Sequence, residues 1–330
     1  MTDPESPEPG IAEHSFAPFV RILGRGPGRS RALSRDEARD ALRLVLSGAA
    51  EPEQIGAFLM LLRYRGEDAA ELAGLVDASR EACARPKAPC AIDLDWPSYG
   101  AGRTRTAPWY LLAALALAQS GRRILMHGTN EFSTGQSVRA ALAELGLREA
   151  LNPDDAAGQI NRTGFAYLPL QALAPALDRL LDLRRLLGLR SPINTAVRLL
   201  DPFDARAGID GVFHPPYIDA HLAAAALLDR PRLILVKGGG GEAERNPAKP
   251  LTAHLFERGV GRRELILPAL APRGGTPPSL VRVWRGDAPD TAETATAIGT
   301  IALALLALEP GLDPAAADNQ AAEIWAARRY

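Results

Sequence analysis

Between Ser34 and Leu46, apolar residues recur at Ala38, Ala41, Leu42, Val45 and Leu46, the spacing of one buried helical face. Ser34 with Glu37 three residues on is a capping-box start, and Gly48 ends the helix. The pattern repeats from Glu51 to Arg65 through Ile55, Phe58, Leu59 and Leu62, with Gly66 after it. A third helix is expected over Ala69 to Arg85, stopped before Pro86. Short helices with short loops predict a small bundle from His14 to Arg85.

After Pro89 the texture changes. CAIDLDW and RRILMHG read as strands, and between them Pro108 to Ser120 is apolar nearly all round, which marks a buried helix. Ser137 to Leu145 is a further helix. FAYLPLQALAPALDRLLDLRRLLGLRS reads as a long helical region broken by prolines. GVFHPPY, Tyr217 to Leu228, then LILVKGGGG gives strand, helix, strand; RELILPAL and SLVRVWRG are two more β candidates. Thr291 to Ala307 and Asp318 to Arg329 close the chain as helices. Strands alternating with helices predict an α/β fold with a mostly parallel sheet flanked by helices. The expected organisation is a 1–13 tail, a 14–88 helical domain completed by helices within about 165–190, and an 89–330 α/β domain.

The 330 residues are 47% hydrophobic and 23% charged, the composition of a globular protein. No apolar run reaches the roughly 18 residues of a membrane span. The opening MTDPESPEPGIAEH has no leader pattern, which predicts a cytoplasmic protein with a disordered tail. Cys83 and Cys90 lack metal-ligand spacing and read as inert. Net charge is −1, which taken alone argues against a nucleic-acid partner. The distribution changes that picture. Arg162 to Arg273 holds sixteen basic residues against eleven acids, and Trp96 to Asn130 holds four arginines and no acid. Both ends of the chain are acidic, so a basic middle lies between them.

Chemistry concentrates in LVKGGGGEAERNPAKP. Gly238, Gly239, Gly240 and Gly241 directly follow a strand, with Lys237, Arg245 and Lys249 around them. Such a loop suits phosphate oxygens, since backbone N–H groups are accessible and cations are near. It lacks the GK[ST] ending of a nucleoside-triphosphate loop. Arg103 and Arg105 flank a second glycine-containing turn, SYGAGRTRTAPW. Tyr99 and Trp109 are candidates for stacking on bases, although Trp109 reads better as core.

The order of elements, with LMLLRYRGEDAAELAGLVDA, HGTNEFSTGQSVRAALAELGL and GFAYLPLQALAPALDRLLDLRRLLGLRSPINTAVRLLDPF, resembles the anthranilate phosphoribosyltransferase family over nearly the whole chain. The resemblance implies a helical domain on a phosphoribosyltransferase-like α/β domain and a homodimer through the helical part. It also implies anion-binding roles for His127 and Asn130 in the second phosphate stretch and for Arg184 and Arg185 in the arginine region. Two departures stand out. The family's GTGGD-type pyrophosphate loop is replaced by SYGAGRTRT, without the aspartate. The family's adjacent Asp-Glu pair, which holds magnesium, corresponds to Ala243–Glu244, leaving Glu244 as a weak metal candidate. The GGGGEAERNP run resembles a nucleic-acid-binding branch of the family. The leading expectation is therefore a nonspecific DNA- or RNA-binding protein that holds backbone phosphates, without catalytic residues, cofactor or membrane partner. The rival is a glycosyl or phosphoribosyl transferase with an unusual donor or acceptor, which would use magnesium. A third reading is a small-anion sensor.

Overall fold

The structure, a computed structural model, describes residues 13–26, 28–100, 107–129, 135–271, 276–289 and 291–330. Four helices come first: α1 (Ala17–Gly24), α2 (Arg35–Leu46), α3 (Pro52–Arg65) and α4 (Ala69–Ala82). The capping box expected at Ser34 is formed, with the Ser34 hydroxyl accepting the Glu37 N–H and the Glu37 carboxylate accepting the Ser34 N–H at 2.8 Å. Asp68 and Glu71 cap α4 in the same way. The helix α4 is buried along most of its length because α2 packs on one side of it and later helices on the other.

The chain continues as β1 (Leu94–Ser98), α5 (Trp109–Gln119), β2 (Ile124–Gly128), α6 (Val138–Glu144), α7 (Pro153–Thr163), β3 (Phe165–Pro169), α8 (Leu170–Leu173), α9 (Pro175–Asp182), α10 (Arg184–Leu187) and α11 (Ile193–Ala196). Then follow β4 (Ala207–Val212), α12 (Tyr217–Leu227), β5 (Arg232–Lys237), β6 (Leu251–Glu257), β7 (Gly261–Leu267), α13 (Leu280–Arg285), α14 (Ala292–Leu308) and α15 (Pro314–Ala326). The sheet order is β3-β2-β1-β4-β5-β6-β7. The first five strands run parallel, and β6 and β7 are antiparallel additions. One core, around α5, α14 and α15, covers one face of the sheet; the other covers the opposite face and continues into the helical domain. The fold class is the one the alternation predicted.

Two element readings differ, and one strand had no reading. FAYLP is the strand β3, paired in register with β2 from Ile124↔Phe165, and not the start of a helix. All five residues are buried, so the run shows no period of two, and it passes straight into apolar α8. SLVRVWRG is the helix α13, not a strand; Ser279 caps it by accepting the Arg282 N–H, and Gly286 closes it at φ 85°. The β-branched and aromatic residues Val281, Val283 and Trp284, with Arg282 between the valines, imitated a strand. LTAHLFE, which the sequence reading left unassigned, is β6, which joins the antiparallel edge.

Candidate functional site

Strand order reverses between β1 and β4: β2 and β3 lie to one side, β5 to the other. In open α/β sheets ligands bind outside the carboxyl ends of strands at such a switch point. Here that crevice is filled from within. Glu242, 1% exposed, lies over it, and its carboxylate accepts the Gly100 N–H just after β1. Three glycines form its seat. A Cβ on Gly100 would lie 2.3 Å from Glu242 Oε1, one on Gly211 2.4 Å from the Glu242 carbonyl carbon, and one on Gly238 1.7 Å from the Glu242 carbonyl oxygen. Gly240 and Gly241 take φ 67° and 83°, a region that favours glycine. The glycine run therefore packs the loop down around Glu242. Its N–H groups are largely used inside: Gly238 donates to Val212 O, Gly241 to Gly238 O and Glu242 to Gly239 O. That departs from the open N–H cradle expected at Gly238–Gly241.

A buried polar chain runs beside it. The Tyr99 hydroxyl lies 2.8 Å from His127 Nδ1, His127 Nε2 lies 3.1 Å from Asp95, and Arg230 Nη2 donates to the other Asp95 oxygen at 3.2 Å. Arg230 also pairs with Asp201 at 2.6 Å. Burial works against the Asp95 charge, but His127 and Arg230 outweigh it and hold the carboxyl below its usual range. Burial pushes the Tyr99 hydroxyl well up, so it stays protonated. This chain ties the end of β1 to the end of β2.

The expected residues scatter. Arg103, Arg105 and Asn130 lie outside the described residues. His127 is fully buried in the polar chain and does not open to a ligand. Tyr99 and Trp109 are buried as well and offer no stacking face. Arg245 is also fully buried; it pairs with Asp318 at 2.6 Å and donates to Pro268 O, so it does not reach the mouth of the loop. Lys237 and Lys249 are exposed. Arg185 is exposed beside Asp182 at 3.5 Å, and Arg184 is half-buried at the start of α10. Glu244 does not join an acid cluster: its Oε2 accepts the Tyr110 N–H in the first turn of α5 at 3.1 Å. Among the described residues, no three His, Cys, Asp or Glu side chains gather as a metal site would require.

Two of the open clefts lie near these residues. One, about 900 Å³ with its mouth, lies between the end of β2 and the start of α6 and is lined by Thr129, Gln136, Ser137, Arg139, Tyr167 and Gln171. The other, about 570 Å³ with its mouth, lies where α3 meets α11 and the β4–α12 connection. Arg63, Arg190, Arg198 and His214 line it, and among the described residues no carboxylate does. Arg198 Nη1 is engaged by Asp210 and Gly211 O, each at 2.8 Å. Burial, then Arg198, Arg184 and Arg63, bring the Arg190 guanidinium down to about 10. None of these four was singled out from sequence. The signal was there in the four-residue spacing of Arg190, Asn194 and Arg198, which sets them on one face of a helical turn.

A glycosyl transferase family model, for the helical bundle domain, matches residues 18–83. The anthranilate phosphoribosyltransferase of Sinorhizobium medicae is 35% identical over 203 residues, 61% of this chain; the chain spans 58% of that relative's length. The anthranilate phosphoribosyltransferase of Methylobacterium nodulans is 31% identical over 257 residues, 77% of this chain and 74% of that one. The yeast anthranilate phosphoribosyltransferase in complex with PRPP and Mg superposes with a TM-score of 0.75 at 17% identity over 96% of this chain and 94% of that one, a likeness of fold.

Proposed function

The chain belongs to the anthranilate phosphoribosyltransferase family, and we propose that it is a glycosyl transferase of the phosphoribosyltransferase type whose donor or acceptor differs from the family's. The cleft beside β2 and β3 presents hydrogen-bonding groups from Thr129, Gln136, Ser137, Arg139 and Gln171 to a donor or acceptor. The observation that carries the reading is the placement of the two carboxylates of the glycine-rich loop. Glu242 accepts the Gly100 N–H and Glu244 the Tyr110 N–H. Both carboxylates thus hold backbone, and they diverge toward different elements. Magnesium needs several oxygens in near-octahedral array, usually one or two carboxylates beside phosphate. Among the described residues, these carboxylates do not fit that ion as the family would hold it. Glu244 in addition places a negative charge at the N-terminal end of α5, the position a pyrophosphate would favour.

The test is product formation. Phosphoribosyl pyrophosphate, magnesium and anthranilate incubated with the protein are expected to give no phosphoribosyl-anthranilate. Turnover above a heat-killed control would overturn the altered-partner reading.

Binding of DNA or RNA backbone is the second reading, favoured by Lys237, Lys249, Arg63 and Arg190 at one end of the sheet. It predicts a log–log slope of affinity against salt of several units, at about 0.9 per duplex phosphate contact. A flat dependence contradicts it.

A further inference from the structure

We propose that the pocket between α3, α11 and the β4–α12 connection is a binding site for the phosphate group of a small phosphate monoester, held by Arg63, Arg190 and Arg198. The site is independent of the transferase reading and separate from the cleft beside α6.

Three guanidinium groups from different parts of the chain converge on one concavity: Arg63 from α3, Arg190 from the turn before α11, and Arg198 just after α11. An arginine cannot shed its proton near neutral pH, so each carries its charge into the pocket. Desolvating such a charge is costly unless a counter-charge is near. Arg198 has that counter-charge in Asp210, which lies behind it and is shared with His221 at 3.2 Å. Only Nη1 of Arg198 is engaged there. Arg190 has neither hydrogen-bond partner nor ion pair among the described residues. It faces Arg198, Arg184 and Arg63, and their repulsion with burial lowers its proton affinity. A half-buried, partnerless arginine among like charges is unfavourable alone and becomes favourable once an anion sits between the guanidinium groups.

The shape selects the anion. A carboxylate offers two oxygens in a plane and is satisfied by one guanidinium fork. Guanidinium groups approaching from several directions match the three free oxygens of a phosphate monoester. Arg63 is oriented for this by its hydrogen bond to the Tyr217 hydroxyl on α12, which also ties the helical domain to the α/β domain across the pocket. The organic part of the ester meets Phe213, 48% exposed and packed edge-on against His214 with ring centres 4.8 Å apart.

Calorimetry with ribose 5-phosphate, inorganic phosphate and ribose tests the site. Ribose 5-phosphate should bind once per chain and more tightly than inorganic phosphate, and ribose should not bind. Arg190→Gln should weaken ribose 5-phosphate at least tenfold, while Arg258→Gln, which lines neither cleft, changes it less than twofold. The same Arg190→Gln protein should melt at or above the wild-type temperature without ligand, because a repelled charge is gone, and should lose the rise that ribose 5-phosphate gives the wild type. A merely structural arginine would lower the melting temperature. Unchanged affinity in Arg190→Gln, or an equal loss in Arg258→Gln, would overturn the proposal. Equal affinity for inorganic phosphate would overturn the ester assignment and leave free phosphate as the ligand.

Discussion

Glu242 accepts the Gly100 N–H beneath a roof of glycines. Its removal in Glu242→Ala leaves a buried donor unpaired and a hole at the switch point. The expected cost is about 2 kcal/mol, the penalty for an unsatisfied buried group, read from the midpoint of urea unfolding. A change below about 0.5 kcal/mol would mean the carboxylate is free for other work, since surface substitutions fall in that range. In sequence the four glycines were legible as a special backbone but their purpose was not. Close approach to a phosphate and close approach to a glutamate call for the same residue, and only the fold distinguishes them. The same holds for Arg245. Its charge suggested a surface ligand contact, while the structure buries it against Asp318. Arg190 and Arg198 are the converse, passing in sequence for ordinary helix-surface arginines.

At the scale of elements, the helical domain was the most legible part, because caps and apolar stripes agree there. Glu37 supplies a pH test of one cap. The Arg31 guanidinium, bonded to both carboxylate oxygens at 2.6 Å, holds the Glu37 carboxyl down to about 2 against a small opposing effect of burial. A carboxyl held below its unfolded value of 4.5 stabilises the fold above that pH, and the contribution is lost as pH falls toward 2. Arg31 is more than half exposed, so Glu37→Gln should cost only about 0.5–1 kcal/mol at pH 7 and nothing near pH 2. A cost that persists unchanged at pH 2 would show that packing, not charge, holds the cap. The contact of α2 with α4 gives a second test. A Cβ on Gly74 would lie 2.1 Å from Arg35 O and 2.9 Å from Ala38 Cβ. Gly74→Ala should therefore destabilise by about 1–3 kcal/mol, as overpacking does, despite alanine's better helix propensity; a raised melting temperature would contradict that packing. β3 and α13 were illegible for a different reason. A fully buried five-residue strand has no periodicity, and a six-residue helix is too short to establish one.

The whole molecule joins a helical domain to a seven-stranded, mostly parallel sheet through α4, α9, α11 and α12. The apolar positions Ala17, Val20 and Ala57 on α1 and α3 lie in an open groove edged by Glu13, Arg21 and Glu53. A homodimer through this face is the proposed assembly, and light scattering should give about twice the 35.2 kDa chain mass. A monomer at micromolar concentration would contradict it. In the proposed function this fold handles phosphorylated ligands with arginines, while its loop carboxylates hold backbone. Titration of phosphoribosyl pyrophosphate by calorimetry, with magnesium and with a chelator, tests it most directly. Saturable binding is expected, with an affinity that changes by less than about 1 kcal/mol between the two conditions, well under the tenfold step of about 1.4 kcal/mol. Binding that appears only with magnesium, and is lost in Glu244→Gln, would contradict it.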